Sequence, residues 1–466
     1  MIKKTIMFIL ILTSAITLVF GIYSDILPSL YLKIFVFGYL LIDVILLFLI
    51  KRKNKLLYGI GLFLSFIMII FSIACSFVCI RIQILFDNIS EVSPEMDAYV
   101  VLVLKESNYE VVSDLNDKSL GILEEGDTNY NEALKSLQIN CGAKYENYDN
   151  VLNLAKALLA KDVEAIFLNQ AYIAILDEGI EGFSDQTRIL DTIKIAKEQE
   201  ERKNNTVNID NKEAFNVYIS GIDTYGEINT VSRSDVNIIA TINLRSGEVL
   251  LTNIPRDMYV QLAGMSGLRD KLTHAGVYGI DTSIKTIENF LDTDIDYYVR
   301  INFSSLIQLV DYLGGIDIYS DYDFEVAGYH FNKGMNYNLT GRAALYFSRD
   351  RYSFSDGDRQ RGRNQERVIA AIINKVTKSN DTSTYFKLIS TLENSFQTNM
   401  DRNTMNKLIN RQLENNYQWE ISFSDINGYD SMNYTYSYPW QKLYVMEVDD
   451  DSLQEAKNKI TNILQK

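Results

Sequence analysis

The sequence predicts an α/β protein with three transmembrane helices at its N-terminus, then a small α/β domain and a larger mixed α/β sandwich. Three observations lead to this prediction: apolar runs of membrane-spanning length, alternating strand-like and helix-like segments from residue 97 onward, and a polar break near residue 200. Proline is scarce at 4 residues and aromatic residues reach 12%, which is typical of a packed globular protein and not of a disordered stalk.

Three apolar runs open the chain, at residues 5–22, 30–50 and 56–80. Each is about 18 to 25 residues long, which is enough to cross the hydrocarbon core of a bilayer as a helix. A cleaved signal peptide would be a single shorter run ending at a small-residue cleavage site. The sequence therefore predicts a retained anchor of three transmembrane helices within residues 1–81.

Basic residues flank these runs unevenly. Lys3 and Lys4 precede the first run and residues 51–55 (KRKNK) join the second to the third, whereas the loop between the first two carries Asp25 and no basic residue. The positive-inside rule then places the N-terminus in the cytoplasm and everything after about Arg81 outside. We expect a multi-pass protein of the cell membrane whose C-terminal domains are extracellular.

About 385 residues follow the anchor, enough for two domains by the usual length of a domain. The net charge of −15 argues against nucleic acid as a partner, because nucleic-acid binding requires a dominant basic surface. Cys75 and Cys79 fall inside the third apolar run and Cys141 stands alone outside it. The exported part is therefore not expected to depend on disulfides.

The first external segment, residues 97–196, alternates strand patterns with helix patterns. AYVVLVL and SLGIL are typical of strands, VLNLAKALLA has apolar residues at helical spacing, and AIFL is again extended. These features predict an α/β accessory domain similar to one lobe of a solute-binding protein, and both a ligand-binding role and a purely structural role stay open. The polar, charged residues 197–212 are the expected linker.

Residues 213–466 form the second predicted domain. AFNVYISGI is a strand pattern, and NIIATINL and VLLTN form two strands joined by a tight hairpin. Antiparallel pairing brings Arg233 and Asp235, before the hairpin, close to Arg256 and Asp257, after it. Together with the helical pattern FSSLIQLVDYLGG and the strand IDIY, these segments predict a mixed α/β sandwich.

The stretch SRDRYSFSDGDRQRGRNQ (residues 348–365) concentrates five arginines in this acidic chain. An extended conformation would project Arg349 and Arg351 to one side, as a clamp for phosphate oxygens. In the helix that follows, the apolar stripe extends backwards to Gln365 and Arg361, so both are expected to face inward. A buried cation is costly unless paired, so Arg361 should meet an anion.

Seven motifs in this order resemble the LytR-CpsA-Psr family of cell-envelope proteins. They are GID (221–223), RSD (233–235), IPRD (254–257), KLTHA (271–275), DYLGGID (311–317), LTGRAALYFSRDR (339–351) and GDRQRGRNQ (357–365). The three apolar runs and the extra domain are similar to the capsule-associated branch of Gram-positive bacteria. Two positions depart from the commoner pattern: Asn364 stands where arginine is frequent, and Thr273 stands where asparagine is frequent.

The resemblance implies an α-β-α sandwich with a mixed central sheet and a phosphotransferase activity. The enzyme would move a glycopolymer, such as a capsular polysaccharide, from an undecaprenyl-pyrophosphate carrier to peptidoglycan, with the polyprenyl tail in the apolar interior. Two other functions stay open: a polyprenyl-pyrophosphate hydrolase or phosphatase using the same site, and a regulator of capsule or envelope synthesis.

The resemblance also implies roles for individual residues. The expected catalytic residues are Arg256, Arg349 and Arg351, and the expected substrate-binding residues are Arg233, Lys271, Arg361 and Gln365. The expected ligands of Mg²⁺ are Asp223 and Asp235, which agrees with the preference of this ion for one or two carboxylates plus phosphate oxygens and water. Asp257 and Asp350 are candidates for the general base, which stays unassigned. The Arg–Asp combinations at 233–235 and 256–257 could instead be structural ion pairs.

Overall fold

The computed structural model describes residues 2–24, 28–90, 95–124, 126–197, 212–222, 228–378, 385, 388, 395–415 and 417–466. Within these ranges the chain forms three long N-terminal helices followed by two mixed sheets. The predicted linker over residues 197–212 falls almost entirely outside the described residues.

The N-terminal helices are α1 (Ile2–Tyr23), α2 (Ser29–Lys51) and α3 (Lys55–Ser90). They contain stretches of 21, 23 and 30 residues that are long and apolar enough to cross a membrane, as predicted. Leu10, Tyr39, Leu46 and Met68 pack between the helices, while most other apolar side chains point outward. An outward apolar surface suits a lipid environment and would be unfavourable in water.

The accessory domain is built on a five-stranded sheet. Its strands are β1 (Met96–Leu104), β2 (Ser119–Leu123), β3 (Lys144–Tyr148), β4 (Ala165–Asn169) and β5 (Thr187–Ala196). Its helices are α4 (Thr128–Asn140), α5 (Val151–Ala160), α6 (Ala171–Gly179) and α7 (Phe183–Gln186). The strand order is β3-β2-β4-β1-β5, with β2 parallel to both neighbours and β1 antiparallel to both.

The C-terminal domain contains the remaining elements. Its strands are β6 (Ala214–Ile222), β7 (Ser234–Asn243), β8 (Glu248–Asn253), β9 (Tyr259–Val260), β10 (Asp270–Lys271), β11 (Tyr297–Ile301), β12 (Ile316–Ser320), β13 (Phe324–Val326), β14 (Tyr329–Phe331), β15 (Gly334–Leu339), β16 (Phe396–Thr398), β17 (Glu420–Asp425), β18 (Gly428–Asn433) and β19 (Leu443–Val448). Its helices are α8 (Leu272–Ala275), α9 (Ile280–Leu291), α10 (Phe303–Tyr312), α11 (Gly341–Arg349), α12 (Asp358–Thr377), α13 (Arg402–Asn415) and α14 (Asp450–Gln465).

A six-stranded sheet forms the centre of this domain, in the order β16-β11-β6-β7-β8-β17. It is mixed, because β6 pairs parallel with β11 and β8 with β17, whereas β7 is antiparallel to both of its neighbours. The predicted hairpin of β7 and β8 is confirmed, with Ile238 opposite Asn253 and Asn243 opposite Glu248.

Helices cover both faces of this sheet. Consecutive residues of β7 pack on opposite faces of the sheet. Ile239 packs with Ile287 of α9 and Ile460 of α14. Ile238 packs in the cluster that contains Ala370 of α12. The predicted α-β-α sandwich with a mixed central sheet is therefore confirmed.

The accessory and C-terminal domains share an apolar core. Ile175 and Leu176 of α6 belong to the same buried cluster as Val277, Tyr438 and Leu443. A buried ion pair also joins the domains, with Arg300 Nη1 2.6 Å from Glu95 Oε1. This interface places α6 beside the edge of the central sheet where the predicted site residues gather.

Candidate functional site

A cavity of about 640 Å³ lies where β6 ends, β7 begins and the chain leaves β8. Eight of the nine predicted site residues line it: Arg233, Asp235, Arg256, Lys271, Arg349, Arg351, Arg361 and Gln365. The ninth, Asp223, lies outside the described residues. Positions separated by up to 132 places in the sequence (233 to 365) thus share one cavity.

The β7–β8 hairpin brings Asp235 to Arg256. Arg256 Nη1 donates to Asp235 Oδ1 at 2.6 Å, and the hydroxyl of Thr273 donates to the same oxygen at 3.2 Å. Burial would raise the pKa of Asp235, but the charges of Arg256, Arg233 and Arg361 outweigh it and lower this pKa. Asp235 is therefore ionised and holds Arg256 in place.

Lys271 enters the cavity from β10 and is almost completely buried. Its ammonium lies 3.0 Å from Asp257 Oδ1, and the same carboxylate oxygen is 3.7 Å from Arg256 Nε. Asp257, a candidate base by sequence, thus contacts two cations. In this arrangement it positions Arg256 and Lys271 beside each other.

A carboxylate from the accessory domain completes this cluster. Glu178 of α6 accepts from Arg233 Nη1 at 3.0 Å and from Arg256 Nη2 at 3.3 Å through Oε1, and Lys271 Nζ lies 2.7 Å from its Oε2. Three of the predicted anion-binding cations therefore converge on one carboxylate. We define Arg233, Arg256 and Lys271 as the inner cation cluster.

His274 lies behind the inner cation cluster and is fully buried. Its Nδ1 is 2.6 Å from Asp270 Oδ1, and its Nε2 is 3.7 Å from Glu178 Oε1. Burial alone would lower the pKa of His274, but the two carboxylates outweigh it and raise this pKa. The two carboxylates thus favour the charged form of His274 beside Glu178.

Arg349 and Arg351 lie at the outer side of the cavity. Arg349 is the last residue of α11, and the chain becomes extended only at Asp350. The condition considered for the clamp, an extended conformation from Arg349 onward, is therefore not met at Arg349. The helical conformation follows from the buried face of Ala344 and Phe347. Both arginines are exposed and both still line the cavity.

Aromatic rings hold these two arginines. The Arg349 guanidinium lies over Phe303, 4.1 Å from the ring centroid, and Arg351 Nη2 donates to Tyr352 Oη at 2.8 Å. Neither contact neutralises charge. The two outer guanidinium groups therefore keep their full charge toward the cavity.

Arg361 and Gln365 face inward from the first turns of α12, as the helical period predicted, and both are buried. The anion that the buried Arg361 requires is present in the protein: Asp358 Oδ1 lies 2.5 Å from Arg361 Nη2. Burial, reinforced by the charges of Asp257 and Asp235, raises the pKa of Asp358 despite Arg361.

One wall of the cavity is apolar. Leu306 of α10 and Leu345 of α11 line the cavity and continue into a buried cluster that includes Phe347 and Val368. An anion bound by the inner cation cluster would thus lie next to apolar surface. This pairing of cations with an apolar wall suits a ligand that joins an anionic group to a hydrocarbon chain.

Among the described residues, Asp235 is the expected Mg²⁺ ligand that lies at the cavity. Within the described residues no group of three or more His, Cys, Asp or Glu side chains has the arrangement of a metal site. Asp235 supplies one carboxylate at the cavity, beside cations that would bind phosphate oxygens. One or two carboxylates suffice for Mg²⁺ when phosphate oxygens and waters complete its coordination. The described residues therefore fit an ion that binds together with its substrate.

Sequence reasoning missed three residues of the site: Glu178, Asp358 and Tyr444, all of which contact the predicted residues or line the cavity. Asp358 stands three residues before Arg361, a spacing that permits a helical ion pair and could have revealed it. No pattern in the sequence connects Glu178 with the inner cation cluster. The four-residue spacing of Asp270 and His274 was also a usable signal.

Comparison with known proteins gives a family match. The profile of the LytR_cpsA_psr family matches residues 184–461. The teichoic acid transferase TagU of Enterococcus faecalis, named polyisoprenyl-teichoic acid–peptidoglycan teichoic acid transferase, is 35% identical over 240 residues, covering 51% of this chain and 78% of that protein. The TagU of Bacillus cereus is 30% identical over 260 residues, covering 54% and 84%.

Among solved structures, B. subtilis TagV is similar to this chain at 26% sequence identity and a TM-score of 0.47. The similarity covers 55% of this chain and 98% of that one. Glu178 and most of the accessory domain precede the matched family region.

Proposed function

Because this chain belongs to the LytR-CpsA-Psr family, we propose that it transfers a glycopolymer from a polyprenyl-pyrophosphate carrier to peptidoglycan by phosphoryl transfer. The relatives are named as teichoic acid transferases that act on polyisoprenyl-linked polymer and peptidoglycan. The extra domain and three apolar helices favour a capsular polysaccharide or related wall polymer as the cargo here.

One observation carries the proposal: the inner cation cluster and two outer guanidinium groups surround one cavity beside an apolar wall. A pyrophosphate diester has several oxygens that can each accept from a different cation. Arginine forks bind such oxygens in pairs, whereas lysine acts as a point charge. The adjoining apolar wall would receive the first isoprene units of the carrier.

The proposed reaction breaks one bond and forms one. A hydroxyl oxygen of peptidoglycan attacks the phosphorus that bears the glycopolymer, and the bond from this phosphorus to the bridging oxygen breaks. Polyprenyl monophosphate leaves with that oxygen, and the acceptor hydroxyl gives its proton to a general base, which stays unassigned and returns the proton to solvent. The product is a phosphodiester between polymer and wall.

Phosphoryl transfer depends mainly on positioning and on neutralising charge. Arg256, held by Asp235, and Lys271, held by Asp257, would fix the diphosphate from the sheet side. Arg349 and Arg351 would approach from the opposite, solvent-facing side. Mg²⁺ bound through Asp235 and Asp223 would neutralise further charge on the diphosphate oxygens.

We place this reaction on the outer face of the membrane. Lys3 and Lys4 lie on the same side as residues 51–55 if each of the three helices crosses the bilayer once, and this side is the cytoplasmic one by the positive-inside rule. The domains that follow α3 would then lie outside, where peptidoglycan is.

Transfer by the purified full-length protein tests the proposal. Vesicles carrying a polyprenyl-diphosphate-linked glycan are mixed with peptidoglycan fragments, and the glycan attached to peptidoglycan is measured. Arg256→Gln should reduce attachment about 100-fold or more, as expected for a preorganised group that stabilises transition-state charge. Arg245→Gln is the matched control, because Arg245 is exposed at the opposite end of the same hairpin. Equal activity of the two variants would overturn the proposal.

A further inference from the structure

The accessory domain contributes a charged side chain to the centre of the site. Glu178 lies at the C-terminal end of α6, before the region that matches the family, yet its carboxylate contacts all three members of the inner cation cluster. Only 16% of its side chain is exposed. This carboxylate therefore lies among the cations that would bind a substrate diphosphate.

The backbone that carries Glu178 is fixed. Ile175 and Leu176, three and two residues before it, are completely buried in the core shared with Tyr438. Gly179 follows Glu178, and a Cβ atom at this glycine would lie 2.1 Å from the Tyr438 hydroxyl oxygen. This close approach of α6 to Tyr438 requires glycine at position 179, directly after Glu178.

The carboxylate is ionised in this environment. Burial raises its pKa, but the charges of His274, Lys271 and Arg256 outweigh burial and hold the pKa of Glu178 well below its usual range. A diphosphate brings at least two negative charges to the same cations. Two anions of this kind repel each other at contact distance, so both cannot occupy the inner cation cluster.

We propose that Glu178 is an internal competitor of the substrate diphosphate. In the absence of substrate its carboxylate neutralises the inner cation cluster, and the arriving diphosphate replaces it as the side chain rotates away. The accessory domain thus lowers the affinity of the site for diphosphates. This inference rests on one part of the proposed function, namely that the inner cation cluster binds the diphosphate.

The test is a calorimetric titration. Inorganic pyrophosphate is added to the purified full-length protein at constant magnesium concentration, and the dissociation constant is measured. Glu178→Gln keeps the shape of the side chain and removes its charge. If the carboxylate occupies the cluster about nine-tenths of the time, the variant should bind pyrophosphate about tenfold more tightly, since apparent affinity scales with the fraction of the competent state. Glu181→Gln is the matched control, because Glu181 is exposed three residues later, and its affinity should equal that of the wild type.

A second variant keeps the negative charge beside the buried cations, so the test does not depend on Glu178→Gln alone. Glu178→Asp keeps the charge but withdraws it by one methylene group, so its affinity for pyrophosphate should lie between those of the wild type and Glu178→Gln. Equal or weaker binding by Glu178→Gln, with the wild type still binding, would overturn this inference and leave the proposed function standing. Failure of both the wild type and Glu178→Gln to bind pyrophosphate would overturn the diphosphate site itself.

Discussion

Arg256 Nη1 lies 2.6 Å from Asp235 Oδ1, across the open end of the β7–β8 hairpin. The contact joins a residue expected to act on the substrate to one expected to bind metal. It makes Asp235 a structural partner of Arg256 in addition to any role toward Mg²⁺. Substitution of Asp235 should therefore affect stability as well as activity.

Asp235→Asn should destabilise the folded protein by about 1 to 3 kcal/mol, because it removes the closest anion from a buried guanidinium group. The remaining contacts of Arg256, to Glu178 at 3.3 Å and to Asp257 at 3.7 Å, limit the loss. Denaturant unfolding measures stability and glycan attachment measures activity. Unchanged values of both would show that the ion pair contributes nothing.

Substitution of Asp223, the second expected metal ligand, should change the magnesium dependence of transfer. Asp223→Asn should raise the magnesium concentration needed for half-maximal transfer, since a carboxylate is lost from the expected ligands. Transfer is assayed over a magnesium titration, with Asp235→Asn in parallel. If neither variant changes the magnesium dependence, the assignment of the metal site is wrong.

The two outer arginines should depend on their forked shape. Lysine keeps the charge but cannot donate two parallel hydrogen bonds, so Arg349→Lys and Arg351→Lys should each lose transfer activity about 100-fold. Arg359→Lys and Arg363→Lys are the controls, because these side chains bind Gly428 O and Asp356 on the protein itself. An equal loss in all four variants would indicate a diffuse basic surface in place of a clamp.

Thermal stability should depend on the ionisation of His274. The pKa of this residue is raised in the folded state, so its stabilising contribution is complete below the unfolded pKa of about 6.5 and disappears as the pH rises through the folded value. The melting temperature of the wild type should thus fall more steeply than that of His274→Asn above pH 6.5. Parallel curves would show that His274 is not charged in the folded protein.

The orientation of the chain can be tested in cells. If residues after α3 lie outside, a protease added to intact cells without their wall should digest both domains and leave a tag at the N-terminus intact. The tag should become accessible only after the membrane is permeabilised. Protection of the two domains in intact cells would contradict the extracellular location and favour the regulatory function.

Features that depend on neighbouring residues could be predicted from the sequence, whereas contacts between distant residues could not. Arg361 and Gln365 could be placed because helical period is local, and Arg256 could be placed near Asp235 because a hairpin fixes its own register. The conformation at Arg349 was not determined by the sequence pattern around it, because the preceding buried residues form a helix that continues to this position. Glu178 escaped prediction because it lies 78 residues from Arg256 and reaches it only through packing between domains.

The most direct test of the central claim follows the phosphorus atom. A donor is prepared with radioactive phosphorus only in the phosphate attached to the glycan, and the full-length protein is given this donor with peptidoglycan. Phosphoryl transfer predicts that the label becomes attached to peptidoglycan together with the glycan, while unlabelled polyprenyl monophosphate is released. Label released to water as free phosphorylated glycan, with none on peptidoglycan, would contradict transfer and identify a hydrolase.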